Sequence, residues 1–197
     1  HKALALLKTH PKIEKIGYIG WSQGGVGPIM SHFQHINNYV NNSEHTFDAS
    51  VAIYPYCGFT FPENSITTTP LLMITGGEDD LTPEKACINL FNKFKNGDGE
   101  INHISFEGAS HGYDNPFLFL GYTFDKLPSL HIINNDCTLT ISESRNIITL
   151  NNRIISGPKD SAEVLSQCST KGVHVKYNEK AARQTKLEII KFFNSKF

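Results

Sequence analysis

The chain has 197 residues, a hydrophobic content of 39% and a formal net charge of −1 at pH 7, which is typical of one globular domain with a sizeable core. The balanced charge argues against a nucleic-acid or anionic-membrane partner, and no apolar run approaches the ~20 residues that cross a bilayer. Residues 2–9 already form a helical pattern with no initiator methionine before it, so we expect the sequence to be cut from a longer protein.

Predicted helices and strands alternate over residues 2–111. The apolar runs at 49–54 and 70–75 are typical of buried parallel strands. Pro28 should kink or delay the second helix, whereas Pro83 suits the first turn of the third. Alternation of this kind predicts a mostly parallel sheet with helices on both faces. The predicted elements are helix 2–9, strand 13–20, helix 23–39, strand 49–54, strand 70–75, helix 83–94 and strand 102–106, with 57–69 as a loop.

The alternation ends at about 117–172, which we interpret as a small β-rich insertion in a single domain that spans 1–197. Apolar and polar residues alternate there in a pattern typical of a hairpin, and Ser161–Gln167 suits a short helix. An extended segment and a final helix over 179–194 follow. The hairpin residues are Leu139, Ile141, Ile147 and Ile148, and the extended segment is Val173–Tyr177.

The four cysteines are widely spaced, at Cys57, Cys87, Cys137 and Cys168. No C-x-x-C pair is present, which argues against a zinc ribbon or thioredoxin-like chemistry. Buried free thiols and two disulfides both remain open, and four cysteines allow three pairings. Sequential pairing would close two loops of similar length, each stabilising the fold by roughly 3–4 kcal/mol. Disulfides would indicate an oxidising compartment, and we favour that alternative.

A glycine-flanked serine follows the first predicted strand. Gly20-Trp21-Ser22-Gln23-Gly24 reads G-x-S-x-G, the pattern of a nucleophile elbow between a strand and a helix. Such a turn is sharp and strained, so we expect glycine to be required on both sides of the serine. The other interpretation is a glycine-rich turn in which Ser22 only caps the following helix. The motif by itself supports both interpretations.

Acidic and histidine residues follow two later strands in the order that a serine triad needs. Asp79 and Asp80 come directly after the strand predicted at 70–75, and His111 follows the next predicted strand. An acidic pair alone is typical of a helix start, and a histidine in a glycine-rich loop is more often solvated. Three placements at strand ends in the required order favour a triad, with Ser22 as nucleophile and His111 as general base.

Two further groups of residues have more than one interpretation. His32 and His35 lie at i and i+3 of a predicted helix and could bind a metal, but no third ligand is near in sequence, so we interpret them as surface histidines. Four aromatic residues near the predicted site either line a substrate pocket or pack in the core. They are Trp21, Tyr54, Tyr56 and Tyr113.

The sequence resembles the dienelactone hydrolase family of α/β-hydrolases. The resemblance covers most of the chain, is weakest over 117–170, and rests on three runs, Gly20–Gly25, Gly76–Pro83 and Ser110–Asp114. The family's acid motif has a glycine, two residues, the catalytic aspartate and a proline four residues later, which selects Asp79 over Asp80. Its histidine motif, H-x-(aromatic)-D, selects His111.

The resemblance implies an α/β-hydrolase fold without its N-terminal strands. It also implies a serine hydrolase that cleaves a small-molecule ester or lactone and needs no cofactor or metal. Ser22 would attack the substrate, His111 would act as base and then as acid, and Asp79 would orient His111. The backbone N–H of Gln23 would supply one oxyanion-hole donor, while the second would come from a loop upstream of residue 1. The founding enzymes use a cysteine nucleophile, so Ser22 moves the expectation toward ordinary esters.

Two expectations accompany this interpretation. The missing second oxyanion donor motivates an alternative, a non-catalytic binding or structural module that keeps the fold. A branch of the family carries cysteines at similar places and resembles exported proteins, so we favour a periplasmic or secreted location over the cytoplasm.

Overall fold

The computed structural model describes residues 2–41, 45–62, 65–130, 138–142, 147–149, 154–155 and 157–197. Its strands are β1 Gly17–Trp21, β2 Ala49–Ile53, β3 Phe59–Thr60, β4 Leu71–Gly76, β5 Ile101–Phe106, β6 Tyr122–Ser129, β7 Leu139–Ile141, β8 Ile147–Thr149, β9 Ile154–Ile155 and β10 Thr170–Val175. Its α-helices are α1 Lys2–Lys8, α2 Val26–Ser31, α3 Gln34–Asn41, α4 Glu84–Phe94, α5 Pro158–Gln167 and α6 Glu179–Lys196, with 3₁₀ helices at Ser22–Gly25 and Pro116–Leu118.

Four parallel strands form the central sheet in the order β1-β2-β4-β5. The inner strands β2 and β4 are buried at every residue, which explains their unbroken apolar sequences. The register pairs residues at the ends of neighbouring strands: Trp21 with Ile53, Ile53 with Ile74, and Gly76 with Phe106. The carboxyl ends of all four strands therefore lie at one edge, and the predicted parallel sheet is confirmed.

Apolar side chains cover both faces of this sheet. Helices α2 and α4 contribute to one buried cluster, and α6 contributes to the other. Side chains along β4 alternate between the two clusters, as the pleat of a strand requires: Leu71 and Met73 belong to the first, and Leu72 and Ile74 to the second. The prediction of helices on both faces is confirmed.

Strands from the later part of the chain build two smaller sheets. β6 pairs antiparallel with β10, and β8 pairs antiparallel with both β7 and β9. The predicted hairpin is confirmed by the pairing of β7 with β8, whereas β6 was not predicted. The prediction of 57–69 as a loop was wrong at β3, which pairs with β7. That pairing needs a partner far along the chain, which the local sequence does not reveal.

The helix predicted over 23–39 is divided into a 3₁₀ turn, α2 and α3. Pro28 is the third residue of α2, where a missing N–H removes no helical hydrogen bond. The interruption lies just after α2, at His32, whose carbonyl oxygen accepts a hydrogen bond from the N–H of Thr68 at 3.0 Å. Contact with a distant loop, rather than the proline, ends α2.

Two element boundaries also differ from the prediction. The strand predicted over 13–20 begins only at Gly17, because the N–H of Ile16 donates to the carboxylate of Asp48 at 2.8 Å. Pro83 precedes α4 as its N-cap residue instead of occupying the first turn.

His32 is fully buried, which corrects its interpretation as a surface histidine. Its Nδ1 lies 2.5 Å from the carbonyl oxygen of Thr69, so Nδ1 carries the proton of a neutral ring. Burial lowers the pKa of His32, and the hydrogen bond to Thr69 opposes that effect only in part. The neighbouring His35 is half-buried.

Cys57 and Cys87 form a disulfide with a Cα–Cα distance of 4.9 Å. The bond joins the segment after β2 to α4, and both sulfur atoms are buried next to the carbonyl oxygen of Pro55. One half of the sequential pairing is therefore confirmed. Cys137, which the other half requires, lies outside the described residues.

Replacing both Cys57 and Cys87 by Ala should lower the free energy of unfolding by about 3–4 kcal/mol, because the crosslink restricts a loop of the unfolded chain. Urea unfolding of the unreduced variant and wild type measures the difference. Thiol titration of unreduced wild type must be done after unfolding, because both sulfurs are buried. Finding Cys57 and Cys87 as free thiols would contradict the assignment.

The stability of the protein should fall as the pH drops below about 6.5, the ordinary pKa of histidine. The pKa of His32 is lowered in the folded state, so the unfolded chain binds the proton first, and stability present above that pH is lost below it. In urea unfolding, the free energy of unfolding of His32→Gln should fall less than that of wild type between about pH 7.5 and about pH 5.5. Equal slopes for His32→Gln and wild type would contradict this origin of the pH dependence.

Candidate active site

Ser22 lies at the turn between β1 and the 3₁₀ helix Ser22–Gly25. Its φ of 51° is in the left-handed region, which costs a residue with a side chain on the order of 1–3 kcal/mol. A Cβ at Gly20 would lie 2.1 Å from the carbonyl oxygen of Gly24, so the backbone approaches too closely for any side chain at this position. The strand, the sharp turn and the helix that the motif predicts are therefore present.

The two glycines of the motif are not equivalent. A Cβ at Gly24 would meet nothing within 4 Å, whereas one at Gly25 would lie 2.9 Å from the Cβ of Pro55. The expectation that glycine is required on both sides of Ser22 is therefore wrong at Gly24. The close contacts that exclude side chains are made by Gly20 and Gly25.

Ser22, His111 and Asp79 form a continuous chain of hydrogen bonds. The Oγ of Ser22 lies 2.8 Å from Nε2 of His111, and Nδ1 of His111 lies 2.8 Å from Oδ2 of Asp79. Because a carboxylate only accepts, Nδ1 carries the proton and Nε2 is left to accept from the serine hydroxyl. His111 is 8% exposed and Asp79 is 5% exposed, while Ser22 is half-buried.

The carboxylate of Asp79 is held by donors on both oxygens. Its Oδ1 accepts from the backbone N–H groups of Leu81 and Thr82 at 3.0 and 2.8 Å. Its Oδ2 accepts from the hydroxyl of Thr82 at 2.9 Å and from Nδ1 of His111. These donors occupy both oxygens of the buried carboxylate, so the loop fixes its direction. Sequence analysis did not identify Thr82 as part of this site.

Asp80 faces the later part of the chain instead of His111. Its Oδ2 accepts from the N–H of His174 in β10 at 3.1 Å, and its carbonyl oxygen accepts from the hydroxyl of Ser129 in β6. The acidic pair therefore has two separate structural roles. Asp79, the residue that the resemblance selected, is the one that contacts His111.

The loop that carries His111 is anchored by the last strand and the last helix. The hydroxyl of Ser110 accepts from the N–H of Lys176 at 2.7 Å, just beyond β10. Tyr113 is fully buried, and its hydroxyl lies 2.7 Å from Oγ1 of Thr185 in α6. These contacts attach the loop that carries His111 to two segments that follow it in sequence.

Tyr54 packs directly against the imidazole, with ring centroids 4.8 Å apart in an edge-to-face arrangement. It follows β2, has a φ of 36° and is 7% exposed. Its hydroxyl donates to Oδ1 of Asp114 at 2.7 Å. Burial, together with the Asp114 carboxylate, raises the pKa of Tyr54. From the sequence, Tyr54 could either pack or line a pocket; in the structure its ring packs beside His111.

The other three aromatic residues have different surroundings. Trp21 is 43% exposed, and its Nε1 donates to Oδ2 of Asp114 at 2.9 Å. Tyr113 is a core residue. Tyr56 packs edge to face on Phe59 at 5.1 Å, and burial raises its pKa to about 12. Of the four, Trp21 and Tyr54 share the acceptor Asp114, the last residue of the histidine motif.

Gln23 follows Ser22 in the first turn of the 3₁₀ helix. Backbone N–H groups in a first helical turn have no partner within the helix, so this N–H is available to a ligand at Ser22. Its role as an oxyanion-hole donor stays a prediction.

In the part of the chain that the structure describes, no group of three or more His, Cys, Asp or Glu side chains could hold a metal ion. No helix there is long and apolar enough to cross a bilayer.

The variant Gly20→Ala should be destabilised by about 1–3 kcal/mol, because its methyl group would overlap the backbone of Gly24. Gly24→Ala is the matched control, since open space surrounds that position. Its free energy of unfolding should lie within about 0.5 kcal/mol of wild type or slightly above it. Urea unfolding compares the two, and equal stability of both variants would contradict the proposed packing of the turn.

Several solved structures are similar to this chain. An α/β hydrolase from a Medee basin deep-sea metagenome library matches at 21% identity and a TM-score of 0.43, covering 56% of this chain and 48% of that one. A truncated carbohydrate esterase from gut microbiota matches at 17% identity and a TM-score of 0.41, covering 53% and 55%. Esterase 2 of Thermogutta terrifontis matches at 18% identity and a TM-score of 0.41, covering 51% and 45%. The match thus spans about half the length of each structure.

A search of curated proteins found no match. The family model described as "Dienelactone hydrolase family" matches residues 1–122, which include β1 to β5 and all three residues of the hydrogen-bonded chain. This chain belongs to the dienelactone hydrolase family.

Proposed function

We propose that this protein is a serine hydrolase that cleaves a carboxylic ester or lactone. The observation that carries the proposal is the chain of hydrogen bonds from Ser22 through His111 to Asp79, with both contacts at 2.8 Å. A hydroxyl, a neutral imidazole and a buried carboxylate in this order are the groups that activate a serine for acyl transfer. Membership of the dienelactone hydrolase family supports the same reaction class.

The reaction follows from the positions of these groups. The Oγ of Ser22 attacks the acyl carbon while Nε2 of His111 takes the hydroxyl proton. His111 then returns the proton to the leaving alkoxide as the C–O bond breaks, which leaves an acyl-enzyme. A water molecule, deprotonated by the same Nε2, attacks the acyl carbon. His111 then returns that proton to the Oγ of Ser22 as the acyl–serine bond breaks, which releases the acid and the free serine.

Asp79 acts on the imidazole and not on the substrate. Its Oδ2 holds Nδ1–H, which keeps the tautomer that Ser22 needs and stabilises the imidazolium formed during attack. The three other hydrogen bonds to this carboxylate, from Leu81 and Thr82, keep it from turning away. The N–H of Gln23 is the proposed donor to the developing oxyanion.

A serine nucleophile favours oxygen esters and lactones as substrates, and no cofactor enters the proposed steps. A disulfide between Cys57 and Cys87 supports the expectation of an oxidising compartment, periplasmic or extracellular.

A fluorophosphonate probe tests the nucleophile in the full-length protein. We expect wild type to label at the serine and Ser22→Ala not to label, because the probe reacts with an activated hydroxyl. Ser166→Ala, which removes an exposed hydroxyl on α5, should label like wild type. Equal labelling of wild type and Ser22→Ala, or no labelling of wild type, would contradict the proposal and favour the non-catalytic module.

The adjacent carboxylates provide a matched pair for the acid. Asp79→Asn should slow labelling by about 10³–10⁴-fold, because an amide can donate to Nδ1 and favour the wrong tautomer. Asp80→Asn should retain most of the rate, since Asp80 faces His174. The reverse ranking would overturn the assignment of Asp79.

A further inference from the structure

Asp114 joins two residues that lie on either side of the Ser22–His111 pair. Its Oδ2 accepts from Nε1 of Trp21 at 2.9 Å, and its Oδ1 accepts from the hydroxyl of Tyr54 at 2.7 Å. Both donors are therefore satisfied by one half-buried carboxylate. Hydrogen bonds to a charged acceptor are stronger and more directional than neutral ones, so this carboxylate restricts both side chains.

The Trp21 contact acts on the nucleophile through the backbone. Trp21 directly precedes Ser22, whose φ of 51° is strained. The indole is 43% exposed, so packing alone leaves the side chain free to rotate. The hydrogen bond from Nε1 to Asp114 restricts that rotation. Fixing the side chain of Trp21 limits rotation of the peptide that leads into Ser22.

The Tyr54 contact acts on the base and on the acid loop. Its ring lies against the imidazole of His111 with centroids 4.8 Å apart, and its carbonyl oxygen lies 3.1 Å from Oγ1 of Thr82, whose single hydroxyl proton is within reach of both this carbonyl and Oδ2 of Asp79. Thr82 in turn contacts the carboxylate of Asp79. Tyr54 itself has a φ of 36°, a conformation that persists only where surrounding contacts hold it.

These contacts close a ring around the triad. Starting at Ser22, the ring passes through His111, Asp79, Thr82, Tyr54, Asp114 and Trp21 and returns to Ser22 by a peptide bond. Both ring contacts of Asp114 are made with side chains outside the proposed triad, Trp21 and Tyr54. Asp114 is the last residue of the histidine motif, but the motif by itself does not indicate a function for it.

We propose that Asp114 is a positioning residue, which holds Trp21 and Tyr54 so that the Oγ of Ser22 stays within hydrogen-bond distance of Nε2 of His111. This inference rests on the proposed serine hydrolase function. It does not require Asp114 to touch the substrate. Loss of the Asp114 carboxylate should therefore lower the rate at which Ser22 is modified, because a displacement of about 1 Å in a reacting group can cost on the order of 10²-fold in rate.

The variant Asp114→Asn tests the proposal because an amide offers one acceptor for two donors. We expect the second-order rate of fluorophosphonate labelling to fall by roughly 10- to 100-fold. Asp125→Asn, an equivalent change at an exposed position on β6, should label at the wild-type rate. Circular dichroism melting of both variants should show that the fold is kept.

Trp21 is the single tryptophan of the chain, so its fluorescence measures the contact independently of catalysis. Asp114→Asn should increase quenching of Trp21 by acrylamide and shift its emission, whereas Asp125→Asn should change neither. Unchanged quenching in Asp114→Asn would overturn the contact, and an unchanged labelling rate would overturn the positioning role.

Trp21→Phe and Tyr54→Phe provide tests that do not depend on the folding of Asp114→Asn. Each removes one donor to Asp114 and keeps an aromatic ring, and each should slow labelling. The double variant Trp21→Phe/Asp114→Asn should be no slower than the slower single variant, because both changes break the same contact. Additive losses would overturn the proposal.

The Ser22→Ala variant separates this inference from the proposed function. If Ser22→Ala labels as fast as wild type, the proposed function fails. If labelling depends on Ser22 but is unchanged in Asp114→Asn, only this inference is refuted.

Discussion

The parallel register of β1, β2, β4 and β5 is the constraint on which the site depends. Because parallel strands present their carboxyl ends at one edge, three segments that are far apart in sequence meet there: the turn at Ser22, the acid loop at Asp79 and the loop at His111. Each loop needs only a few residues to reach the others. A short loop on a rigid strand can hold hydrogen bonds of 2.8 Å between groups as distant as Ser22 and His111.

Backbone strain is concentrated at the same edge. Ser22 and Tyr54, at the ends of β1 and β2, are the non-glycine residues with positive φ among those that the structure describes. Such conformations cost on the order of 1–3 kcal/mol each and survive where neighbouring contacts fix them. Here the neighbours are the close approach of Gly20 to Gly24, the packing of Gly25 on Pro55 and the contacts of Tyr54. The strain exposes a serine hydroxyl and places a tyrosine ring beside the imidazole.

The later part of the chain supports the site without adding a reacting group to the proposal. β10 and the segment after it bind Ser110 through Lys176, α6 binds Tyr113 through Thr185, and the N–H of His174 binds Asp80. The acid loop and the histidine loop are thus both tied to β10 or α6. The partners from the later part of the chain, Lys176, Thr185 and His174, lie outside the motif runs, so the sequence alone did not point to them.

The sequence by itself determined the order of the central elements and which residues follow the carboxyl ends of the strands. Unbroken apolar runs mark buried parallel strands, and the residues that follow parallel strands must lie at one edge, so Ser22, His111 and an acidic residue could be expected to meet there. The resemblance to the dienelactone hydrolase family selected Asp79 over Asp80. Tertiary structure decided what depends on partners distant in sequence: the interruption after His32, the pairing of β3 with β7, the burial of His32, and the contacts of Thr82 and Asp114. A pattern of hydrophobicity records which side of an element faces the core. It does not record which distant backbone or carboxylate a polar group will meet, because that is set by packing of the whole chain.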